Sequence, residues 1–478
     1  MEYRNSGVFC AGNDETFVFI ENILDEVIGL FPGPYIHVGG DEVPKQYWKV
    51  CPRCQARIKR EGLADEKELQ SYFIRRIETF LTSRGKKLIG WDEILEGGLA
   101  PEATVMSWRG MKGGIEAAGQ HHDVIMTPES TCYFNHYQGA PDLEPKAWGG
   151  FTPLSEVYSF EPTPSELKQD EALHILGAQA CVWTEFIETP DLIEYMILPR
   201  MSALAEVLWS APQNRDWNDF KERMISQYRR FDSMHLTYAK SAFNVRFAIT
   251  TAPPDFYAVV TMDSDAAGAG IHYTLDGSEP STGSPGYSEP ITVQSTAVIR
   301  AGTFTNGELA GKITFAEYYR HKATGKQPHL LQRYSNGYPG VGDFTLTNGL
   351  KGSKDYGDGQ WQGYNGVDLV AVIDLGAATT LSRMTSTYFH DPGTWIFMPS
   401  QVEYAVSADG NTFQTVASLH NDTPQTTAGP IIKEFSSDFN PVSARYIRVT
   451  AKSIGVCPEW HAGAGRAAWL FSDEIVVE

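Results

Sequence analysis

Basic residues are scarce in this chain, which carries 39 Lys and Arg against 59 Asp and Glu in 478 residues. The formal net charge is therefore -20, and the sequence offers no broad basic field. Binding to nucleic acid or to an anionic membrane surface depends on such a field, because basic side chains displace counterions from phosphates. The charge balance argues against these partners and leaves neutral ligands, such as uncharged sugars, as candidates.

Long apolar segments are also missing from the sequence. No run approaches the roughly 20 apolar residues that cross a bilayer. Residues 1–5 are not followed by the apolar region that a signal peptide contains. We therefore predict neither a membrane span nor a signal peptide in this chain.

Cysteine is rare as well, with six residues in the whole chain. That number is too small for a disulfide framework at this length. Cys51 and Cys54 form a C-x-x-C pair, but no second pair and no histidine cluster lies near it in the sequence. An isolated pair favours a local structural role over zinc binding, so we predict no metal ligand.

Aromatic residues, by contrast, are plentiful, with 11 Trp, 22 Tyr and 24 Phe. Many aromatic side chains simply fill cores, but their flat faces also bind the C–H-rich faces of pyranose rings. The composition is thus compatible with sugar binding without requiring it.

Residues 13–210 alternate short apolar strands with amphipathic helices. Apolar spacing predicts one helix from Asp14 to a stop at 31–34, and another over 65–84 ahead of Gly85. Buried strands that alternate with helices predict a parallel sheet, either open or closed into a β/α barrel. A closed barrel has eight strands, whereas the visible strands are five, at 35–38, 87–91, 104–108, 124–126 and 175–180.

The pattern changes after residue 238 to short strands rich in Thr, Ser and Gly. Alternating strands around a turn cluster at 275–280 predict a small β-sandwich. Further strands separated by turn signals predict a second sandwich beyond a linker at 324–328. The predicted domains are 1–238, 239–323 and 324–478.

The first predicted strand leads into the most informative motif of the chain, His37-Val38-Gly39-Gly40-Asp41-Glu42. The two glycines permit close approach of the backbone to a ligand, and two adjacent carboxylates follow at the carboxyl end of the strand. β/α barrels hold their active sites at this end. The residues alone also allow a simpler interpretation, in which Asp41 and Glu42 only cap the next helix.

Four further strand ends carry tryptophan or carboxylate. One such tryptophan would indicate packing, but three tryptophans and several acids at one edge describe a saccharide pocket with aromatic walls and hydroxyl acceptors. The segments are 90–93 (Gly-Trp-Asp-Glu), 107–109 (Ser-Trp-Arg), 127–129 (Thr-Pro-Glu) and 182–185 (Val-Trp-Thr-Glu).

These motifs resemble those of family 20 β-N-acetylhexosaminidases. The H-x-G-G-D-E signature of that family matches His37 to Glu42, and its Trp-Asp-Glu, Ser-Trp and Trp-Thr-Glu strand ends follow here in the same order. The family has a (β/α)8 TIM barrel with the signature on the fourth strand. The expected fold is therefore a partial TIM barrel (strands 4–8) followed by two all-β sandwich domains, in a chain truncated before the fourth strand.

The resemblance implies an exo-acting hydrolase that removes terminal β-linked N-acetylglucosamine or N-acetylgalactosamine with retention of configuration and without a cofactor. Glu42 would protonate the glycosidic oxygen and later act as base, for which burial beside a like charge would keep it protonated. The acetamido carbonyl of the substrate would attack the anomeric carbon, an exception to the two-carboxylate scheme. Asp41 would orient the acetamido N–H and stabilise the oxazolinium intermediate.

By the same resemblance, Tyr133 would hydrogen-bond the acetamido carbonyl oxygen, and Glu185 would accept hydrogen bonds from distal sugar hydroxyls. Asn135 stands where many members have aspartate, which removes a charge from the site. His37 would buttress the site rather than carry a proton. The walls of the sugar pocket are assigned to Trp91, Trp108, Trp183 and, on a loop, Trp148.

Two alternatives stay open. In the first, a retaining glycosidase uses Glu129 as a protein nucleophile, which requires two carboxyl groups roughly 5–5.5 Å apart. In the second, the expected absence of the first three strands leaves a catalytically silent glycan-binding fragment.

The two sandwiches carry resemblances of their own. Residues 240–322 resemble the small β-sandwich that follows the barrel in bacterial hexosaminidases. Residues 330–478 resemble discoidin-like (F5/8 type C) domains and family 32 carbohydrate-binding modules, where Trp395 and Trp460 would either stack on glycan or lie buried. Some such modules hold a structural calcium, to which Asp355 or Asp358 would contribute. The expected partners are N-acetylhexosamine-containing glycans, and the expected location is outside the cytoplasm, by export.

Overall fold

Apolar strands and amphipathic helices alternate through the first of two compact units, which divide between Ala242 and Phe243. The computed structural model describes residues 7–478. In the described part of the first unit, one sheet contains five strands: β1 (Tyr35–His37), β2 (Lys87–Trp91), β3 (Thr104–Ser107), β4 (Val124–Met126) and β5 (Ile175–Ala178).

These strands are all parallel and lie in the order β1-β2-β3-β4-β5. Sequential strands are neighbours and the order never reverses, which is the connectivity of a β/α barrel wall rather than of a doubly wound sheet. The predicted parallel α/β sheet is thus confirmed, while the strand count of a whole barrel stays a prediction. Because the strands run in one direction, their carboxyl ends meet at one edge.

Helices connect the strands and continue the first unit after the last strand. They are α1 (Asp14–Leu30), α2 (Gln46–Val50), α3 (Pro52–Glu61), α4 (Glu66–Ser83), α5 (Lys112–Gly119), α6 (Glu129–Cys132), α7 (Leu154–Ser159), α8 (Gln169–Ala172), α9 (Pro190–Ile197), α10 (Arg200–Trp209) and α11 (Trp217–Ser233). No helix among residues 7–478 is long and apolar enough to span a membrane.

Local sequence explains where two of the long helices begin and end. The Asn13 side chain accepts a hydrogen bond from the Glu15 amide at the start of α1. Asp65 caps α4 in the same way, which satisfies amides that have no partner inside the helix. Gly85 follows α4 with a φ of 72°, a conformation that suits glycine. Helix α1 begins at the predicted residue, Asp14, and both ends of α4 lie within one residue of the predicted span 65–84.

The second unit consists of antiparallel sheets. Its strands are β6 (Arg246–Thr251), β7 (Ala258–Asp263), β8 (Gly270–Thr274), β9 (Ile291–Val293), β10 (Ala297–Thr305), β11 (Glu308–Leu309), β12 (Thr314–Tyr318), β13 (His329–Leu330), β14 (Gln362–Asn365), β15 (Leu369–His390), β16 (Gln401–Ser407), β17 (Gln414–His420), β18 (Ile431–Lys452) and β19 (Trp469–Val477). Strands β6–β12 build two small sheets, and β13–β19 build one of seven strands in which β15 and β18 form the longest pair.

The predicted domain boundary at 323/324 separates the small sheets from the large one, but both belong to one compact unit. His321, from the side of the small sheets, meets a buried acid of the large sheet, Glu474. His321 Nε2 lies 2.8 Å from Glu474 Oε1, and Gly349 N donates to Glu474 Oε2 at 2.8 Å. Burial raises the pKa of Glu474 and raises the pKa of its neighbour Asp473 to about 7. This buried polar network links the two sandwiches.

Candidate active site

The loop after β1 stays attached to β2. Trp91 N donates to Gly39 O at 3.0 Å, which extends the strand pairing past the end of β1. The chain then turns through Gly39 (φ 76°), Gly40 (φ 102°) and Glu42 (φ 47°). A left-handed backbone is costly for a residue with a Cβ, so Glu42 holds a strained conformation of the kind that clusters at functional sites.

Gly40 is the tightest point of this loop. A Cβ at this position would lie 2.7 Å from Ile94 Cγ2, well inside van der Waals contact. The Gly40 carbonyl oxygen accepts a hydrogen bond from Gln70 Nε2 at 2.7 Å, which ties the loop to α4. Packing as well as backbone conformation therefore requires glycine here, and the positions of the next two residues, Asp41 and Glu42, depend on it.

Five predicted site residues form a connected set of rings at the carboxyl ends of the strands, which we call the aromatic wall. The His37 ring lies edge-on to Trp91 at 4.7 Å between centroids, and Trp91 lies 6.1 Å from Trp183. Tyr133 lies 6.5 Å from Trp183 and stacks on Trp108 at 6.3 Å with an interplanar angle of 25°. The structure thus brings together four strand-end residues, His37, Trp91, Trp108 and Trp183, with Tyr133 from the segment after β4.

The phenol of Tyr133 is the hydroxyl group of the aromatic wall. Burial is the main cause that raises the pKa of its phenol well above the usual range, and the charges of Glu129 and Asp41 act in the same direction. With its raised pKa, the Tyr133 hydroxyl keeps its proton at neutral pH and can donate a hydrogen bond.

Asp41 and Glu42 are both exposed. The expectation that Glu42 is buried beside a like charge is therefore wrong, because Glu42 lies in the loop after β1 and its neighbour Asp41 is exposed as well. His37 Nδ1 accepts a hydrogen bond from Gly39 N at 3.1 Å, which agrees with a role in holding the loop. Partial desolvation of the ring lowers the pKa of His37, and the Asp41 carboxylate opposes that shift.

A buried acid pair behind the wall was not assigned a role from the sequence. Trp108 Nε1 donates to Glu93 Oε2 at 3.0 Å, which fixes the orientation of the indole. Arg109 Nε donates to Asp92 Oδ1 at 2.7 Å and lies 3.7 Å from Glu93 Oε1. Burial raises the pKa of Glu93 despite these partners. The strand-end motif at 90–93 contained this signal, since it places two acids directly after Trp91.

Arg200 is the second feature that the sequence did not indicate. It is fully buried on α10 and donates to the carbonyl oxygens of His136 at 3.2 Å and Thr152 at 3.0 Å. Burial lowers the pKa of Arg200 to about 9. Burial, with this cation as a smaller cause, lowers the pKa of His136 to about 4. Arg200 therefore holds the loop after Tyr133, and His136 is neutral at pH 7.

The remaining predicted residues lie around the wall. Trp148 is exposed, and its ring centroid lies 6.3 Å from that of Phe186. Asn135 is buried, its carbonyl oxygen accepts from Trp148 N at 3.2 Å, and its Oδ1 has no hydrogen-bond partner among residues 7–478. Glu185 is exposed, two residues after Trp183. The structure thus places Asn135 beneath the Trp148 loop, and the roles of all three stay predictions.

In the second unit, the two candidate glycan-stacking residues differ. Trp460 is 51% exposed, whereas Trp395 is half-buried and lies edge-on to His461 at 5.6 Å. Of the predicted calcium ligands, Asp355 Oδ1 accepts from Gly357 N at 2.9 Å and Asp358 Oδ1 accepts a similar bond within its own turn. These bonds stabilise the turn, and calcium at this place stays a prediction.

Comparison with known proteins finds three parts of the chain that match family profiles. Residues 1–212 match the profile described as "Glycosyl hydrolase family 20, catalytic domain". Residues 256–314 match the "Chitobiase/beta-hexosaminidase C-terminal domain", and residues 334–470 match the "F5/8 type C domain".

Individual relatives agree with these matches. The chain is 46% identical over 308 residues to a beta-hexosaminidase of Porphyromonas gingivalis, covering 63% of this chain and 39% of the relative. It is 38% identical over 209 residues to a beta-hexosaminidase of Vibrio furnissii, covering 43% of this chain and 34% of the relative. The chain therefore matches well under half the length of these relatives.

Among solved structures, a GH20 exo beta-N-acetylglucosaminidase from Vibrio harveyi in complex with N-acetylglucosamine is 33% identical to this chain. The match covers 49% of this chain and 37% of that structure, with a TM-score of 0.45.

Proposed function

We propose that this chain, whose residues 1–212 match the profile of the glycosyl hydrolase family 20 catalytic domain, removes terminal β-linked N-acetylhexosamine residues from glycans. The observation that carries the proposal is the loop of Gly39 and Gly40, which follows His37 of the aromatic wall, is hydrogen-bonded to Trp91 and leads directly into Asp41 and Glu42. An aromatic wall beside carboxylates fits a saccharide, because pyranose rings offer C–H-rich faces together with hydroxyl groups.

The proposed mechanism uses the acetamido group of the substrate as nucleophile. Its carbonyl oxygen attacks the anomeric carbon, the bond to the leaving oxygen breaks, and Glu42 gives its proton to that oxygen. Water then attacks the same carbon, Glu42 takes a proton from it, and the carbonyl group is restored. Two displacements retain the configuration, and the intramolecular attack brings the rate advantage of proximity.

Asp41 and Tyr133 would hold the reacting acetamido group. In this proposal the Asp41 carboxylate accepts from the acetamido N–H and stabilises the positive charge that develops on the oxazolinium ring. The phenol of Tyr133, which its raised pKa keeps protonated, donates to the acetamido oxygen.

The natural partners that we propose are N-acetylhexosamine-containing glycans, consistent with the net charge of -20, which disfavours polyanions. Export from the cytoplasm is proposed on the ground that the chain combines a glycosidase domain with an F5/8 type C domain.

The test compares leaving groups. Glu42→Gln should lower kcat/KM by roughly 100- to 10,000-fold on an N-acetylglucosamine disaccharide, the usual contribution of general acid catalysis. The loss should be smaller on a 4-nitrophenyl N-acetylglucosaminide, whose leaving group needs little protonation. Asp41→Asn should impair both substrates. Equal losses for Glu42→Gln on the two substrates would contradict the acid role.

Glu129 supports a second candidate, a glycosidase with a protein nucleophile. Its amide donates to Trp108 O at 2.9 Å, and its Oε1 lies 3.7 Å from Nε2 of His136, whose ring centroid lies 5.7 Å from that of Tyr133. Glu129→Gln should leave turnover nearly unchanged if the acetamido group is the nucleophile. Labelling of Glu129 by a 2-fluoro sugar would instead favour the second candidate.

The exposure of Asp41 and Glu42 favours a third candidate, a domain that binds glycans without turnover. A thiazoline that mimics the oxazolinium ring separates this from the first candidate. Tight thiazoline binding together with hydrolysis supports the proposed enzyme. Glycan binding with no hydrolysis of either substrate would support the binding domain.

A further inference from the structure

Three cysteine side chains meet next to the loop that follows Glu42. Cys10 comes from the segment before α1, while Cys51 and Cys54 lie at the start of α3. All three are buried, and their Sγ atoms lie within 4.8 Å of one another. The C-x-x-C pair is therefore not isolated in space, because the fold adds a thiol from 41 residues earlier in the chain.

The sulfur separations fit thiolates that share a metal ion. Cys10 Sγ lies 3.8 Å from Cys51 Sγ and 3.8 Å from Cys54 Sγ. A disulfide would hold two sulfurs about 2.05 Å apart, so neither contact is a covalent bond. Sulfurs at about 2.3 Å from a tetrahedral zinc ion lie about 3.8 Å from each other. The two measured separations agree with that tetrahedral edge.

The backbone around Cys51 suits negatively charged ligands. Cys51 is the N-terminal cap residue of α3, and Pro52 occupies the first helical position. The amides of the first turn of a helix have no partners inside the helix, and they favour negative charge nearby. Helix α3 is 10 residues long, so its dipole contributes to the positive potential at its N-terminus, next to Cys51.

Close packing fixes the distance between the two segments that supply the sulfurs. A Cβ on Gly12 would lie 2.2 Å from Arg53 C and 2.4 Å from Cys54 N, so the turn after Cys10 lies flush against the α3 backbone. Trp48 Nε1 donates to Phe9 O at 2.9 Å and adds a second attachment. Both contacts hold the thiols in the observed register without any contribution from the sulfurs themselves.

We propose that Cys10, Cys51 and Cys54 bind one zinc ion as thiolates, with an oxygen or nitrogen ligand in the fourth position. Three sulfur ligands favour zinc over the harder magnesium and calcium ions. Each thiol loses its proton on binding, so affinity for zinc falls as the pH is lowered. The ion clips the segment before α1 to the segment that follows Asp41 and Glu42, and it stabilises the base of the candidate active site.

Cobalt(II) reports directly on this geometry. The full chain, reduced and freed of metal, should take up one equivalent of Co(II) and develop a thiolate-to-cobalt charge-transfer band together with the visible bands of a tetrahedral ion. Zinc should displace the cobalt and abolish both sets of bands, since thiolate sites generally bind zinc more tightly. A reduced wild-type chain with native circular dichroism that shows no charge-transfer band would overturn the proposal.

Variants identify the ligands. Cys10→Ser and Cys54→Ser should each weaken metal binding on the order of 100-fold or more, because each removes a thiolate. Cys457→Ser is the matched control, since it removes a buried cysteine from the second unit and should leave the cobalt spectrum unchanged. Full affinity in Cys10→Ser would refute the three-sulfur site. The titrations need no substrate, so their outcome is independent of the proposed hydrolysis.

Discussion

Replacing Gly40 by alanine tests whether close packing holds the loop that carries Asp41 and Glu42. The φ of 102° lies outside the region that alanine adopts freely, which costs roughly 1–3 kcal/mol. The new Cβ would also lie 2.7 Å from Ile94 Cγ2, and overpacking of a tight site costs roughly 1–3 kcal/mol. We expect Gly40→Ala to lower the free energy of unfolding of the first unit by roughly 2–6 kcal/mol.

Gly39→Ala provides the matched control. Its φ of 76° is also left-handed, but the nearest atom to a new Cβ is Asp41 Oδ1 at 3.5 Å, an ordinary contact. Only the backbone cost remains, roughly 1–2 kcal/mol. Chemical denaturation followed by tryptophan fluorescence measures both variants. Equal losses in the two variants would refute the packing argument.

A double-mutant cycle isolates the clash. Ile94→Ala removes the methyl group that a Cβ on Gly40 would meet, so the two changes together should cost less than their sum by roughly 1 kcal/mol or more. Because a displacement of about 1 Å at a reacting group can cost 100-fold in rate, Gly40→Ala should also lower kcat where it remains folded. Additive stability losses in the cycle would show that the contact is not made.

Three further predictions concern other parts of the molecule. Arg109→Ala should lower the free energy of unfolding by roughly 1–3 kcal/mol, because the buried Asp92 carboxylate loses its partner at 2.7 Å; an unchanged denaturation midpoint would contradict that pairing. Burial raises the pKa of Asp473 to about 7. Between about pH 4 and pH 7 the folded chain therefore binds more protons at this group than the unfolded chain does. The contribution of Asp473 to the free energy of unfolding is then complete below about pH 4 and declines as the pH rises to about 7. Asp473→Asn should remove that decline, and identical slopes of stability against pH in both proteins would count against the burial of a protonated acid. Trp460 is 51% exposed, so Trp460→Ala should weaken retention of the chain on immobilised glycan at an unchanged Tm, and equal retention would exclude it as a stacking residue.

The sequence predicted those features for which a local pattern is compatible with only one three-dimensional arrangement. Apolar strands alternating with helices require a parallel sheet, and a parallel sheet places all its strand ends at one edge. For that reason the Trp and acid motifs of separate segments could be expected to converge, and His37, Trp91, Trp108 and Trp183 of four such motifs do lie in one connected set of rings, which includes Tyr133. Helix caps such as Asn13 and Asp65 are local for the same reason.

Burial and contact between distant segments could not be predicted in this way. The sequence suggested a buried Glu42, but Glu42 is exposed in the loop after β1. It gave no sign that Arg200, inside an ordinary helical pattern, would be fully buried against loop carbonyls.

By itself the sequence determined the type of sheet, the edge that carries the candidate site and the chemical character of that edge. Only the tertiary structure decided which acids are exposed and which are buried, and that Cys10 joins Cys51 and Cys54. The physical reason is that periodicity and capping act over a few residues. Desolvation and the approach of two sulfurs instead depend on how whole segments pack, and packing is set by distant parts of the chain.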